Sequence, residues 1–296
     1  MNATTRKEAG AYYTPDDTVA SLVRWAVQSH ADRLLDPSCG DGRFLALHRR
    51  SAGVEQDSNA LAVAIERAPW AMIHEGNFFT WASETTERFE CAAGNPPFIR
   101  YQRFTGDVRA NALRLCQRLG ASFSSLTSSW APFLVATASL LKPGGRMAFV
   151  VPAEIGHAPY AIPLLEYLAD NFEVVQLLAV HRKLFPDLSE DCWLLYTAGF
   201  GGATDHFGLT AHEAFQAAPH PPEASQPIGL REWRRWNCRL RPFLLPGHVR
   251  AVYEEAVEDA SSVRLGEVAK VGIGYVTGDN SFFHLRPSEA TQAKIP

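Results

Sequence analysis

The segment LLDPSCGDGRFL, residues 34–45, decides the fold that we predict for this chain of 296 residues. A short apolar strand ends in Asp36, and the chain then turns through Gly40 and Gly42 into a helix predicted over 42–50. Strands and helices alternate from here to about residue 203, which predicts an α/β fold with a doubly wound, mostly parallel sheet. The other predicted strands are GVEQD (53–57), AMIHEGN (71–77), FECAAGN (89–95), RMAFVVP (146–152), EVVQLLAV (173–180) and CWLLYTAGF (192–200).

Apolar periodicity places further helices around these strands. Ser58 is the predicted N-cap of one helix, and a glycine pair is predicted to end another. The segments are 16–31, SNALAVAIERAP (58–69), WAPFLVATASLLKPGG (130–145) and IPLLEYLADN (162–171).

The regular alternation fails after residue 203, where the chain changes composition. APHPPEASQP (218–227) is rich in proline, and Gly-rich β structure is predicted after it, shortly before the chain ends at Pro296. We therefore predict a first domain over 1–217, a linker over 218–230 and an incomplete second domain over 231–296.

Composition narrows the class of protein. The formal net charge is −4, so any nucleic-acid binding must come from local basic patches. The five cysteines form no C-x-x-C pair, which favours reduced thiols in a cytoplasmic protein and no metal site. The sequence also shows no apolar run of membrane-spanning length and no signal peptide, so we expect no membrane partner.

The strand ends predict a nucleoside site. Ligands of such sheets bind at the carboxyl ends of strands, and the loop at Gly40 lacks both the third glycine of a dinucleotide site and the Gly-Lys-Ser/Thr of a P-loop. A nucleoside with a zwitterionic tail is therefore the better ligand. Glu55 is placed to accept hydrogen bonds from both ribose hydroxyls, Asn77 to contact an adenine, and Phe78 to stack on it.

The segment GNPPF (94–98) carries the predicted chemistry. Pro96 and Pro97 end a strand and hold the side-chain and backbone carbonyls at Asn95 and Pro96 nearly rigid. Two fixed acceptors suit an exocyclic NH₂ group, whose lone pair they would leave free to attack an electrophilic methyl group. Phe98 offers a face on which a planar base could stack. The alternative is a proline-stiffened turn with a core phenylalanine.

Together, these motifs resemble the γ-class N6-adenine DNA methyltransferases of restriction–modification systems, the TaqI- and Eco57I-like group. An N-P-P-F loop also occurs in methyltransferases that act on protein glutamine and on rRNA guanine, and GAYYTP favours the DNA adenine enzymes. The matching segments are GAYYTP (10–15), DPSCGDGRFL (36–45), GVEQD (53–57), GNFF (76–79), GNPPF (94–98), WAPFLVATASLLKPGGRMAFVVPAE (130–154) and KLFPDLSEDCWLLY (183–196).

The resemblance implies S-adenosylmethionine as the cofactor and assigns residues to it. Asn77 stands where the family usually has an Asp that accepts from the adenine amine of the cofactor. By this resemblance, the residues at the methionine end of the cofactor are Thr14, Pro15, Asp36 and Gly40. Glu55 would bind the ribose. The residues beside the cofactor's adenine would be Asn77, Phe78 and Phe133.

The resemblance also implies a target adenine flipped out of double-stranded DNA. Asn95 and the Pro96 carbonyl would hold its N6 amine, and Phe98 and Phe185 would stack on its two faces. Arg100 and Arg103 would meet flanking phosphates.

LGEVAKVGIGYVTGDNSFF (265–283) resembles the start of the family's DNA-recognition domain, which normally continues for many more residues. We therefore expect a truncated chain, a gene fragment or one half of a split enzyme. A separate recognition subunit or a further C-terminal segment would complete it, and a cognate restriction endonuclease is an expected partner. Methylation of RNA or protein, and a non-catalytic cofactor- or DNA-binding remnant, stay open as alternatives.

Overall fold

The computed structural model describes residues 14–185, 191–218, 220–221, 223, 226–270 and 287–292. The chain divides into two compact units, Met1–Leu244 and Leu245–Pro296. Nine strands of the described part form one sheet in the first unit, in the order β3-β2-β1-β4-β5-β7-β6-β8-β9. They are β1 Leu34–Asp36, β2 Ser51–Glu55, β3 Met72–Glu75, β4 Phe89–Gly94, β5 Leu141–Pro152, β6 Phe172–Val180, β7 Cys192–Phe200, β8 His206–His212 and β9 Gln226–Gly229.

Helices connect these strands and continue into the second unit. Those of the first unit are α1 Asp16–Ala26, α2 Ser58–Arg67, α3 Phe78–Glu84, α4 Gly106–Arg118, α5 Trp130–Ala138, α6 Ile162–Asn171 and α7 Leu230–Arg235. Those of the second unit are α8 Gly247–Glu258, α9 Leu265–Val268 and α10 Pro287–Gln292. No helix among the described residues is long and apolar enough to cross a membrane.

The predicted mostly parallel, doubly wound sheet is confirmed. Strands β3, β2, β1, β4 and β5 run parallel to one another, and β7 lies antiparallel between β5 and β6. Alternate residues of β5 enter different cores: Phe149 and Val151 join one hydrophobic cluster, whereas Ala148 and Val150 join another. Successive side chains of a strand point to opposite faces, so both faces of the sheet are covered.

The prediction of a helix over 42–50 is wrong. The chain makes turns there and a single 3-10 turn at Leu45–Leu47. Two features prevent a full helix in this segment. Gly42 has a φ of +78° and lies so close to α2 that a Cβ would stand 2.8 Å from the Ala64 Cα. The buried strand β2 already begins at Ser51, which leaves too little chain for a helix to form and return.

The helix predicted over 130–145 is too long. Helix α5 ends at Ala138, and the glycine pair lies instead in the first part of β5. Phe89 pairs with Leu141 and Cys91 pairs with Arg146, so two steps along β4 match five along β5. Pro143, Gly144 and Gly145 are in this bulge, where Gly144 has a φ of +77°.

Residues beyond the predicted first domain contribute to the sheet and its core. Strand β9 lies within the segment predicted as a linker and pairs antiparallel with β8. The large side chains of Ile228, Trp233 and Phe243 are buried in the main hydrophobic cluster. This burial explains why the first compact unit extends to Leu244 rather than ending near 217.

Candidate active site

A carboxylate links the first two strand ends. The Gly40 N–H donates to Oε2 of Glu55 at 2.8 Å, and Oε1 of Glu55 accepts from the N–H groups of Gln56 and Asp57, each at 2.8 Å. Gly40 has a φ of +53°, and none of the residues that the structure describes comes within 4 Å of the position that a Cβ would occupy, its two chain neighbours aside. The glycine loop is thus held by Glu55 and leaves room for a ligand beside its backbone.

Asp36 places a second carboxylate at this edge, at the end of β1. Its side chain is buried, and Oδ1 accepts from the Ser38 N–H at 3.2 Å. Burial raises the pKa of the Asp36 carboxyl well above its usual range, and the neighbouring charges of Glu55 and Asp41 act in the same direction. A Cβ on Gly94 would stand 2.7 Å from Oδ1 of Asp36, so the carboxyl group lies directly against the end of β4.

The predicted catalytic loop begins one residue after Gly94. Oγ of Ser38, in the glycine loop, donates to the Asn95 backbone carbonyl at 3.2 Å, and the Asn95 side-chain oxygen is shielded from solvent. At the far end of the loop, Oγ of Ser129 donates to the Pro97 carbonyl at 2.5 Å and accepts from the Ile99 N–H at 3.0 Å. The sequence did not predict either serine as a site residue.

Two of the predicted cofactor aromatics are in direct contact. The ring centroids of Phe78 and Phe133 are 4.4 Å apart with an interplanar angle of 39°, and both side chains are buried. Rings in contact leave no room for a base between them. The two rings therefore form one continuous aromatic surface. Their contact with an adenine stays a prediction.

Two residues that follow strand ends serve as helix N-caps. Oδ1 of Asn77 accepts from the N–H groups of Phe79 at 3.0 Å and Thr80 at 3.3 Å, so the acceptor assigned to an adenine amine already caps α3. The adenine contact of Asn77 stays a prediction. The predicted cap Ser58 is wrong, because Asp57 caps α2 through the N–H groups of Asn59 and Ala60.

Thr14 is buried where the N-terminal segment approaches the glycine loop. A guanidinium N–H of Arg43 donates to its carbonyl oxygen, and Arg43 is itself paired with Asp41 at 2.9 Å. Pro15, the other predicted residue, comes directly before α1. The rest of GAYYTP, residues 10–13, lies outside the described residues.

The predicted target-base residues pack in a hydrophobic cluster, whereas the predicted DNA-contact residues are exposed. Phe185 is buried in the same hydrophobic cluster against which Phe98 packs, and the five residues after Phe185 lie outside the described part. Arg100 and Arg103 are exposed in the turn that follows the loop. No group of three or more His, Cys, Asp or Glu side chains that could hold a metal ion occurs in the described ranges.

Three family models match the chain. "N-6 DNA Methylase" matches residues 1–65, "Eco57I restriction-modification methylase" matches 48–185, and "Type II methyltransferase M.Eco57I, C-terminal domain" matches 239–296. Together these models cover residues 1–185 and 239–296. The chain is similar to the Eco57I-like N6-adenine DNA methylases of restriction–modification systems over these ranges.

Individual relatives agree with this family. The type II methyltransferase M.XamI of Xanthomonas campestris pv. amaranthicola is 26% identical over 306 residues, which cover 93% of this chain and 53% of the relative. M.TthHB8I of Thermus thermophilus is 29% identical over 161 residues, covering 50% of this chain and 35% of the relative. The chain thus spans between about a third and about half of the length of these curated relatives.

Further similarities extend to an RNA enzyme and to a solved structure. A tRNA1(Val) (adenine(37)-N6)-methyltransferase of Cronobacter sakazakii is 33% identical over 90 residues, covering 26% of this chain and 37% of the relative. The crystal structure of the type IIG restriction endonuclease BpuSI matches with a TM-score of 0.62 at 14% identity, covering 98% of this chain and 40% of that structure. This second similarity concerns the fold.

The methylase family implies S-adenosylmethionine, and the residues at the strand ends fit it. The molecule carries an ammonium and a sulfonium cation, and its ribose carries two hydroxyl groups. Asp36 and Glu55 place two carboxylates at adjacent strand ends, and Gly40 leaves open space beside them. A cationic nucleoside with hydrogen-bond donors matches this acidic edge in charge and in hydrogen-bonding groups.

Asp36→Asn is expected to stabilise the protein and weaken cofactor binding by about tenfold or more. Burial raises the folded-state pKa, so the wild type loses stability as pH rises from the unfolded-state value to the folded-state value. The asparagine cannot ionise. Its gain in unfolding free energy should therefore be absent at low pH, grow through that window and stay constant above it. Thermal melts at several pH values and calorimetric titration with the cofactor measure both effects, and equal affinity would contradict the role of Asp36.

Proposed function

We propose that this chain transfers a methyl group from S-adenosylmethionine to the N6 amine of an adenine in double-stranded DNA. The observation that carries the proposal is the position of Asn95. It directly follows Gly94, where a Cβ would stand 2.7 Å from Oδ1 of the buried Asp36, and Oγ of Ser38 in the glycine loop donates to the Asn95 carbonyl. The loop Asn95–Phe98, which we call the amine-binding loop, and the acidic edge formed by Asp36 and Glu55 are therefore adjacent parts of one site.

The chain's own residues hold the amine in the reaction that we propose. The Asn95 side-chain oxygen and the Pro96 carbonyl each accept a hydrogen bond from one N–H group of the amine. This orientation leaves the nitrogen lone pair directed away from both acceptors. Bound S-adenosylmethionine supplies the electrophilic methyl group. The amine proton becomes acidic only as the N–C bond forms and the sulfur–methyl bond breaks, and it is then released to solvent, so the site needs no strong general base.

The adenine must leave the duplex to reach this loop, which costs a few kcal/mol of unstacking and unpairing. Phe98 and Phe185, which share a hydrophobic cluster, would stack on the flipped base and offset that cost. Arg100 and Arg103, exposed just after the loop, would contact the flanking phosphates. We further propose that a recognition segment or subunit outside this sequence selects the target site, and that a restriction endonuclease acts on the same DNA sequence.

A tRNA adenine is the second candidate substrate. The similarity to the tRNA1(Val) enzyme favours it, since that relative is named for N6 methylation of adenine. The amine-binding loop would act identically on either nucleic acid. A single strand would only remove the cost of extracting the base from a duplex.

Methyl transfer from labelled S-adenosylmethionine distinguishes the candidates. The chain is incubated separately with unmethylated genomic DNA, with total tRNA and with a protein extract, and the products are hydrolysed to nucleosides or amino acids. We expect N6-methyladenine in DNA. Label only in tRNA would establish the second candidate, and label in N4-methylcytosine or in glutamine would overturn the proposal. If none is labelled although the cofactor binds, the chain is a binding remnant under these conditions.

A further inference from the structure

We propose that Ser129 is a positioning residue that holds the loop around Phe98 in its base-receiving conformation. This inference rests on the proposed function, because it concerns the same loop. The side chain of Ser129 is buried and lies about thirty residues after the loop in sequence. None of the family motifs described above assigns a role to it.

Ser129 contacts the loop through three hydrogen bonds. Its hydroxyl group donates to the Pro97 carbonyl at 2.5 Å and accepts from the Ile99 N–H at 3.0 Å, which uses its only donor and one of its acceptor positions. Its backbone N–H donates to the Ile99 carbonyl at 2.9 Å. The residues on both sides of Phe98 are therefore attached to one serine.

The serine is not used for the ordinary purpose of a serine at this position. Ser129 directly precedes α5, where a serine side chain usually accepts from the second or third N–H of the helix. Its backbone is instead helical, and its side chain makes no capping hydrogen bond. The third helical residue, Pro132, has no N–H to offer. The hydroxyl group is thus committed to the loop.

The same residue connects the loop to the predicted cofactor side. The Phe133 N–H donates to the Ser129 carbonyl at 3.1 Å, and the Phe133 ring contacts Phe78. Ser129 binds the Pro97 carbonyl and so fixes the peptide just beyond the Pro96 carbonyl that would hold the amine. A loose loop would misplace both the stacking ring and this acceptor.

Three variants of the full chain test the role. Ser129→Ala removes the hydroxyl group, Ser129→Thr keeps one, and Ser139→Ala is the matched control. Ser139 lies at the other end of α5, where its hydroxyl group donates to the Ala136 carbonyl at 2.8 Å within the same helix turn. Each variant is measured for single-turnover methylation of DNA at saturating cofactor, for cofactor affinity, and for hydrogen exchange of the Ile99 amide.

We expect Ser129→Ala to slow single turnover by on the order of 10- to 100-fold, since small misplacements of a reacting group have effects of this size. Cofactor affinity should stay within about twofold, Ser129→Thr should recover most of the rate, and Ser139→Ala should match the wild type. The Ile99 amide should exchange faster in Ser129→Ala alone.

A wild-type rate in Ser129→Ala, or a threonine variant as slow as the alanine variant, would overturn the positioning role. If hydrogen exchange of the Ile99 amide is unchanged in Ser129→Ala, the Ser129 hydroxyl group does not hold the loop. If the wild-type chain methylates no DNA, the proposed function fails, and the exchange measurement still decides whether Ser129 holds the loop.

Discussion

Asn95→Ala is expected to reduce methyl transfer by on the order of 10³-fold while leaving cofactor affinity within about twofold. The alanine removes the acceptor that orients the amine, and this contact matters most when the nitrogen attacks. The cofactor edge is built from Asp36, Glu55 and Gly40, none of which this substitution alters. Single-turnover labelling of DNA and calorimetric titration with the cofactor measure the two quantities separately.

A matched asparagine controls for general effects of losing an amide. Asn171 ends α6 at the amino end of β6, and its side-chain N–H donates to the Tyr167 carbonyl at 2.8 Å. Asn171→Ala should lose some stability and keep its rate per folded molecule. If Asn95→Ala transfers methyl groups as fast as the wild type, the assignment of the amine to Asn95 is wrong.

The parts of the site that sequence predicted are those contained in one short segment. The chemistry of GNPPF follows from the rigidity of two prolines after a strand, which needs no knowledge of distant contacts. Ser129 could not be found in this way, because its hydrogen bonds join loops about thirty residues apart. The one signal at Ser129 was a serine before an apolar helix, and that pattern ordinarily predicts a helix cap.

The errors in the fold have a similar origin. The apolar residues after Gly42 fit a helical period, but periodicity does not reveal that β2 must begin at Ser51. Likewise, the prolines of 218–227 predict a linker, although Pro227 lies in the edge strand β9. An edge strand tolerates proline because one side of its backbone needs no ladder partner. In both places tertiary packing overrides the local pattern.

The cap residues show why single contacts are harder to predict than the site as a whole. Asn77 and Asp57 both follow strands and precede helices, so each can serve either a ligand or the helix N-terminus. Their side chains cap the helices in this structure. The edge of the sheet where a ligand binds follows from topology, whereas the partner of each oxygen depends on local geometry.

Gly94→Ala is expected to impair both halves of the site at once. The new Cβ would stand 2.7 Å from Oδ1 of Asp36 and 3.2 Å from the Phe149 ring, so the carboxyl group or the end of β4 must move. Overpacking of this kind typically costs about 1–3 kcal/mol of unfolding free energy. Because Asn95 is the next residue, we expect single turnover to fall by on the order of 100-fold. Unlike Asn95→Ala, this variant should also bind the cofactor more weakly.

Gly229→Ala is the matched control for the added methyl group. Gly229 has a φ of −62°, and in the described part of the chain no atom outside its two neighbours lies within 4 Å of the position of a Cβ. This variant should match the wild type in melting temperature, cofactor affinity and rate. The informative comparison is therefore between the two measured effects of Gly94→Ala. A loss of rate with full cofactor affinity would show that β4 moves while Asp36 stays in place, and the expected coupling between the acidic edge and the amine-binding loop would then be wrong.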